Sequence, residues 1–171
     1  LALPDEETVE QMYDLMASFL PAHGYARYEI SNFARPGYES RHNLSYWQDV
    51  PYLGVGAAAH SYLEGRRYAN GVDISAYIRA MQAGGSVREE EEPAERAIAM
   101  EEFAFLALRT SQGLSREAFF KRFAVSLERI YSKTIHEMKQ KGLLEEQDGW
   151  LRLTPLGMKY GNLVFEAFLL T

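Results

Sequence analysis

The residues best suited to chemistry lie close together at residues 40–47, which read Ser-Arg-His-Asn-Leu-Ser-Tyr-Trp. His42 and Asn43 offer an imidazole and an amide, and Tyr46 and Trp47 offer flat apolar rings that suit a planar ligand as well as a core. The segment is predicted to be a loop between two strands, where binding residues are common. The imidazole can ligate a metal, titrate near neutral pH or hydrogen-bond to backbone, and the sequence leaves these roles open.

A glycine-rich segment follows at residues 54–61, which read Gly-Val-Gly-Ala-Ala-Ala-His-Ser. The third glycine of the dinucleotide-binding pattern is replaced, so the pattern is weak evidence for a nucleotide site. It favours a buried strand over residues 52–59 in which the small residues let neighbouring backbone pack closely. The alternative is that Gly54, Gly56 and Ala57 let a ligand approach the backbone, with His60 just beyond them.

A buried carboxylate is predicted at Glu29, inside a strand over residues 25–30. A charged group among apolar neighbours is unfavourable unless it is paired. Arg35 or Arg41 is expected to supply the partner as a structural ion pair.

The elements that must position these residues alternate between helix and strand in the first half of the chain. They are a helix capped by Asp5, strands over residues 25–30 and 52–59, a hairpin turning at Glu64-Gly65, and a helix capped by Asp73. This order indicates α/β pairing within part of a parallel sheet, with too few strands for a closed barrel.

The second half is predicted to contain three helices, a β-hairpin and a last helix. They are a helix over residues 94–109, helices capped by Ser115 and Ser126, a hairpin turning at Asp148-Gly149, and a helix beginning at Thr154-Pro155. Three helices followed by a hairpin are typical of a winged-helix arrangement.

Charge divides the chain into the same two parts. Residues 1–92 hold seven Arg, no Lys and fourteen Asp or Glu, whereas residues 93–171 hold eleven basic and ten acidic residues. The change falls at the acidic run of residues 89–92, which is followed by Pro93. Such a run resists burial, so a boundary between domains 1–92 and 93–171 is predicted there.

Composition excludes several kinds of site. The chain has no cysteine, which excludes disulfides, a cysteine nucleophile, thiolate zinc sites and an iron–sulfur cluster held by its own residues. No apolar run reaches the roughly 20 residues that span a bilayer. The first twenty residues carry five acidic groups and no basic one, unlike a signal peptide. A soluble cytoplasmic protein is therefore expected.

Three ordered motifs together resemble one family. They are Tyr28-Glu29-Ile30-Ser31-Asn32-Phe33-Ala34-Arg35, then Ser40-Arg41-His42-Asn43 leading to Tyr46-Trp47, then Tyr52-Leu53-Gly54-Val55-Gly56-Ala57 leading to His60-Ser61. The sequence resembles the oxygen-independent coproporphyrinogen III oxidase-like group of radical S-adenosylmethionine proteins. The form His42-Asn43-x-x-Tyr46-Trp47 is similar to the HemW-type heme chaperone branch rather than to the true oxidase. The resemblance extends into the second half, where Leu108-Arg109 leads to Gly113-Leu114.

The resemblance implies a fold and a place in a longer protein. Because the family's three-cysteine motif and its glycine-rich S-adenosylmethionine segment are absent, the chain is expected to be the C-terminal part of that protein. The implied fold class is α+β or α/β, with the C-terminal piece of a partial (β/α) barrel at residues 1–92 and a winged-helix-like domain with a β-hairpin at residues 93–171. The 4Fe–4S cluster and S-adenosylmethionine are expected in the radical oxidoreductase-like parent. Its N-terminal half is an expected partner, and this chain is expected to have no catalytic residues of its own.

The resemblance also implies a tetrapyrrole ligand. The motif at His42 is associated with heme handling in the chaperone branch, so His42 is the first candidate for an axial heme ligand or a propionate contact. His60 is the second candidate. The remaining implied binding residues are Asn43, Tyr46, Trp47, Gly54, Gly56 and Ala57, with Arg35 and Arg41 suited to the propionates. A heme-accepting protein is a further expected partner.

Three other functions remain open: a true coproporphyrinogen III oxidase, a winged-helix DNA-binding regulator, and a structural or protein-interaction domain. Residues 126–171 hold six basic and six acidic residues, and the predicted hairpin carries Glu145, Glu146 and Asp148. Because phosphate contacts dominate affinity for DNA, this charge balance argues against a nucleic acid partner.

Overall fold

A computed structural model describes residues 3–90 and 95–170, and the chain is mixed α and β. Its elements in chain order are α1 (Glu6–Ala22), β1 (Ala26–Arg27), β2 (Phe33–Ala34), α2 (Arg41–Trp47), β3 (His60–Leu63), β4 (Arg66–Asn70), α3 (Ile74–Gln82), β5 (Arg88–Glu90), α4 (Arg96–Leu108), β6 (Leu114–Ser115), α5 (Arg116–Phe123), α6 (Leu127–Gln140), β7 (Leu144–Gln147), β8 (Trp150–Leu153), α7 (Pro155–Lys159) and α8 (Gly161–Ala167). They group into a larger unit, from residues 1–48 and 100–171, and a smaller unit, from residues 49–99.

This grouping differs from the predicted division between residues 92 and 93. That boundary lies outside the described residues and stays a prediction. The larger unit joins both ends of the chain because backbone hydrogen bonds connect them. Ile30 N–H donates to the Arg109 carbonyl at 3.0 Å, and Ser111 N–H donates to the Tyr28 carbonyl at 3.0 Å. Such a long-range backbone pairing leaves no local pattern in the sequence.

The larger unit contains a three-stranded antiparallel sheet in the order β6-β8-β7. The predicted hairpin at Asp148-Gly149 is confirmed, and both turn residues have positive φ, at 51° and 81°. The predicted caps are confirmed as well: Ser115, Ser126 and Thr154 accept hydrogen bonds from the first turns of α5, α6 and α7. The predicted last helix is two helices, because α7 ends at Lys159 and α8 begins at Gly161.

Aromatic rings from α5, α6 and the end of the chain fill the core of the larger unit. Phe119, Tyr131 and Phe168 are almost fully buried, and the Tyr131 and Phe168 ring centroids are 4.8 Å apart. Burying each such side chain contributes about 1.5–3 kcal/mol. The core residues predicted from helical spacing are confirmed as buried at Phe119, Phe123, Ile135 and Met138, and are half-buried at Phe103, Leu106 and Ile130.

The smaller unit contains a three-stranded antiparallel sheet in the order β3-β4-β5, with α3 following β4 in the chain. The hairpin predicted at Glu64-Gly65 is confirmed, with Leu63 opposite Arg66 and positive φ at both turn residues. Asp73 caps α3 as predicted, accepting from Ala76 N–H at 2.7 Å.

Two predictions about strands are wrong, and a third is confirmed only in part. The described strand pairs are all antiparallel, so the expected parallel sheet is not observed. Residues 52–59 form an isolated bridge at Tyr52 followed by a turn, because Gly56 and Ala58 have φ of 114° and 59°, outside the extended region of a regular strand. The strand expected over residues 25–30 is reduced to β1.

In the described part of the chain, no helix is both long enough and apolar enough to cross a membrane.

Candidate functional site

The segment that carries His42 is a helix rather than the predicted loop. The Ser40 hydroxyl caps α2 by accepting from Asn43 N–H at 3.3 Å. Because residues four apart lie on one face of a helix, His42 and Tyr46 become neighbours. Their ring centroids are 4.9 Å apart, with the rings nearly perpendicular. The cap residue was visible in the sequence, but the seven-residue helix is too short to leave a periodic pattern.

The His42 imidazole is exposed to solvent. Its backbone carbonyl accepts a hydrogen bond from the Ser45 hydroxyl at 2.7 Å. Within residues 3–90 and 95–170, the ring itself contacts Tyr46 and forms no hydrogen bond. The alternative in which this imidazole ties the segment to neighbouring backbone is therefore not what the structure shows. Asn43, next to it, is half-buried and contributes its backbone N–H to the cap.

Trp47 ends α2 and lines a cleft in the larger unit. The Arg109 guanidinium lies 4.5 Å from the centroid of the Trp47 ring. The cleft has a volume of about 280 Å³, and its lining includes Phe103, Ala107 and Trp150. Its aromatic walls can accept a flat apolar group. Sequence reasoning assigned no role to Arg109, although Leu108-Arg109 is one of the features on which the family resemblance depends. For Trp150 it predicted only that this residue or Leu151 covers apolar surface.

Arg35 and Arg41 both lie on the surface of the larger unit. The Arg35 guanidinium lies 5.3 Å from the centroid of the Tyr25 ring. The predicted ion pair of either arginine with Glu29 is wrong. Glu29 is 1% exposed, and its Oε1 accepts from Ser31 N–H at 3.0 Å and from the Asn32 side-chain amide. Two local donors thus solvate the carboxylate, and both arginines remain available at the surface.

The glycine-rich segment and His60 belong to the smaller unit. Gly54 N–H donates to the Ser61 hydroxyl at 3.0 Å, and Gly56 N–H donates to the Tyr77 hydroxyl at 3.2 Å. A Cβ on Gly54 would lie 2.1 Å from the His60 carbonyl oxygen, so the close backbone approach expected there is confirmed. It occurs in an irregular segment just before a turn rather than in a strand. A ligand contact at Gly54, Gly56 or Ala57 stays a prediction.

The candidate residues therefore form two groups. Arg35, Arg41, His42, Asn43, Tyr46 and Trp47 are in the larger unit, and Gly54, Gly56, Ala57 and His60 are in the smaller unit. His60 begins β3 and is exposed. The structure brings His42 and Tyr46 into contact and leaves Arg35 and Arg41 accessible on the same unit.

The donor set of the described residues does not fit a metal cluster. No group of three or more His, Asp or Glu side chains in residues 3–90 and 95–170 could hold a metal ion, and the sequence has no cysteine. An iron–sulfur cluster needs thiolates, so these residues do not hold one. A single exposed imidazole beside an aromatic ring could supply one ligand to a heme iron.

Comparisons with known proteins show what this chain is similar to. Residues 95–160 match the family model of the HemN C-terminal domain. The chain is 37% identical over 169 residues to the heme chaperone HemW of Bacillus subtilis strain 168, a match that covers 99% of this chain and 45% of the relative. It is 39% identical over 170 residues to the heme chaperone HemW of Lactococcus lactis, covering 99% of this chain and 44% of the relative. The chain thus spans less than half the length of these relatives.

One solved structure has a similar fold. It is the coproporphyrinogen III oxidase HemN from Escherichia coli, described as a radical SAM enzyme, with a TM-score of 0.75 over 98% of this chain and 42% of that chain. The sequences are 15% identical, so this likeness shows the shared fold alone.

Proposed function

This chain is related by sequence to the HemW-type branch of the coproporphyrinogen III oxidase-like proteins, and from that premise we propose that it serves in heme binding and transfer. In this proposal it forms the C-terminal part of a longer heme chaperone. The 4Fe–4S cluster and S-adenosylmethionine belong to the other part of that protein, because this chain has no cysteine to hold the cluster. The chain on its own has no catalytic activity.

The observation that carries the proposal is the exposure of the His42 imidazole and its contacts. Its imidazole is exposed, packs edge-on against Tyr46, and forms no hydrogen bond in the described part of the chain. A neutral imidazole with a free nitrogen is a common axial ligand of heme iron. The ring of Tyr46 beside it offers an apolar surface against which a porphyrin can lie.

The other residues have supporting roles in this proposal. Arg35 and Arg41 pair with heme propionates, because a guanidinium matches the geometry of a carboxylate. Asn43, Tyr46 and Trp47 complete the binding surface on the larger unit. His60 is a second candidate ligand, and Gly54, Gly56 and Ala57 provide backbone that a ligand can approach.

The proposal also includes the domains, the cellular location and the partners of the chain. Residues 1–92 form the C-terminal piece of a partial barrel, and residues 93–171 form a winged-helix-like domain. The protein works in the cytoplasm, and its partners are the N-terminal half of its own longer chain and a protein that accepts heme.

A titration with hemin tests the proposal, followed by the Soret absorption band and by the quenching of tryptophan fluorescence. A matched titration with metal-free protoporphyrin separates iron ligation from apolar binding. We expect saturable binding of hemin with a shifted Soret band, and weaker binding of the metal-free ring because it offers no iron to the imidazole. If the two rings bind equally, with no Soret shift, histidine ligation is excluded. If neither ring binds, the heme function itself is excluded.

The charge pattern does not favour the alternative of a DNA-binding regulator. Three of the basic side chains around α6 are paired with carboxylates: Arg116 Nη1 lies 3.1 Å from Glu146, Lys139 lies 3.1 Å from Glu146, and Lys133 lies 3.9 Å from Glu137. Paired charges offer little to phosphates. A gel-shift series with duplex DNA at low salt should therefore show no retarded band, and retardation that weakens steeply with salt would support the regulator instead.

A further inference from the structure

We infer that Arg109 is a positioning residue for Trp47, and through Trp47 for the helix α2 that presents His42. The inference deepens the proposed heme function and depends on it for its consequence, but the positioning itself can be measured without heme. It rests on three observations, concerning the backbone of Arg109, its side chain, and the placement of Trp47 on α2.

The backbone of Arg109 is fixed at the end of α4. Its N–H donates to the Phe105 carbonyl at 3.2 Å, and its carbonyl accepts from Ile30 N–H at 3.0 Å. Two residues later, Ser111 N–H donates to the Tyr28 carbonyl at 3.0 Å. The main chain at Arg109 is therefore held from both sides, and its side chain projects from a rigid base.

The Arg109 side chain interacts with rings rather than with carboxylates. Its guanidinium carbon lies 4.5 Å from the centroid of the Trp47 ring and 5.4 Å from that of the Phe165 ring. Its Nε is buried and has no hydrogen-bond partner in the described residues. Cation–π contacts strengthen when the cation is removed from water, so a partly buried guanidinium beside two rings restrains both. Lysine cannot replace it, because an ammonium has no plane to stack on the indole.

The placement of Trp47 connects this contact to His42. The two residues are five positions apart, so their side chains leave α2 in directions about 140° apart. Trp47 is half-buried against Arg109, whereas His42 is exposed. Holding the indole at the C-terminal end of this short helix therefore sets the rotation of the helix that points His42 toward solvent.

The first arm of the test measures the accessibility of Trp47 without heme. The chain has two tryptophans, so a Trp150→Phe background leaves Trp47 as the single tryptophan, which can be excited selectively above the absorption of tyrosine. In this background, Arg109→Lys and Arg109→Met are compared by acrylamide quenching of Trp47 fluorescence, with circular dichroism to verify the fold. Arg27→Lys is the matched control, because the Arg27 guanidinium also lies near two rings, 4.8 Å from Tyr13 and 4.7 Å from Phe33, and neither ring is on α2.

We expect quenching of Trp47 to rise in both Arg109 variants and to stay unchanged in Arg27→Lys. Unchanged quenching in the Arg109 variants overturns the positioning role, whatever heme does. If Arg109→Met does not fold, Arg109→Lys gives the same test with a smaller change of volume and no change of charge.

The second arm of the test measures the binding of hemin. Both Arg109 variants should raise the dissociation constant for hemin roughly three- to tenfold, and should broaden the Soret band as the orientation of His42 becomes less defined. Recovery of normal affinity by lysine would indicate that charge alone matters and would overturn the stacking argument. Altered quenching with unchanged affinity overturns the connection to His42. Absence of hemin binding in the unmodified chain contradicts the proposed function instead, and the first arm then decides the positioning role alone.

Discussion

Replacing Glu29 with alanine should lower the free energy of unfolding of the larger unit by about 2 kcal/mol. Glu29 is 1% exposed, and one carboxylate oxygen accepts both the Ser31 N–H and the Asn32 side-chain amide. Ser31 and Asn32 are themselves exposed, so water can solvate their donors when the carboxylate is removed. The loss is therefore the net contribution of two hydrogen bonds, each about 1 kcal/mol, rather than the full penalty of two unpaired buried groups.

A glutamine at position 29 tests whether the fold is stabilised by the position of the acceptor oxygen or by the charge of the carboxylate. Glu29→Gln keeps an acceptor oxygen where both donors converge, so it should lower the free energy of unfolding by less than about 1 kcal/mol. Glu117→Ala is the matched control for removing a carboxylate, because the Glu117 side chain is 75% exposed and pairs with Lys121 on the helix surface. Water screens such an exposed pair, so it contributes little to the free energy of unfolding.

Tryptophan fluorescence is the suitable assay, since Trp47 and Trp150 both lie in the larger unit and report its unfolding. For a chain of this size, 2 kcal/mol corresponds to a decrease in Tm of about 4–8 °C. A melting temperature of Glu29→Ala equal to that of Glu117→Ala would refute the reasoning. So would a glutamine variant as unstable as the alanine variant, because the charge rather than the acceptor geometry would then be required.

Three other variants test separate features of the structure. Gly157→Ala should lower the free energy of unfolding by about 1–3 kcal/mol in urea titrations, because its Cβ would lie 2.0 Å from the Leu143 carbonyl oxygen. Tyr131→Phe should leave the stability unchanged or raise it slightly in the same titration, because the buried hydroxyl has no hydrogen-bond partner in the described residues and burial raises the pKa of this phenol far above its ordinary value. The hydrogen bond from Arg116 holds the pKa of Glu128 below its ordinary value, so the pair stabilises the fold at neutral pH and loses this effect as the pH falls through the lowered pKa. Glu128→Gln should therefore lower Tm at pH 7, and the difference should disappear in thermal scans at pH values well below the lowered pKa.

Local features of the fold were predictable because short stretches of chain determine them. A cap needs one side-chain oxygen three residues before a free N–H, and Asp5, Asp73 and Ser126 each form that bond. The hairpins at Glu64-Gly65 and Asp148-Gly149 each place a glycine at a turn position with positive φ, which glycine adopts without strain. These signals are complete within four or five residues of sequence.

Features that depend on distant contacts or on unusual backbone were not predictable. Residues 52–59 have the composition of a buried strand, but Ala58 adopts a φ of 59° that composition does not reveal. Glu29 is a local exception: an arginine was expected to pair with its carboxylate, whereas Ser31 and Asn32, just after it in the chain, provide its donors.

The same contrast between local and long-range features applies to the candidate site. The sequence identified His42 and its aromatic neighbours by residue type and order. The stacking of Arg109 on Trp47 joins residues 62 positions apart in the chain, so it appears only in the folded structure.

A hemin titration of His42→Ala tests the central claim most directly, with His23→Ala as the matched control. His23 is also exposed and also packs against an aromatic ring of its own helix, with its centroid 3.9 Å from that of Phe19. We expect His42→Ala to raise the dissociation constant for hemin at least about tenfold and to move the Soret band, whereas His23→Ala should bind hemin as the unmodified chain does. Identical affinity and an identical Soret band in the two variants would contradict the assignment of His42 as the heme ligand.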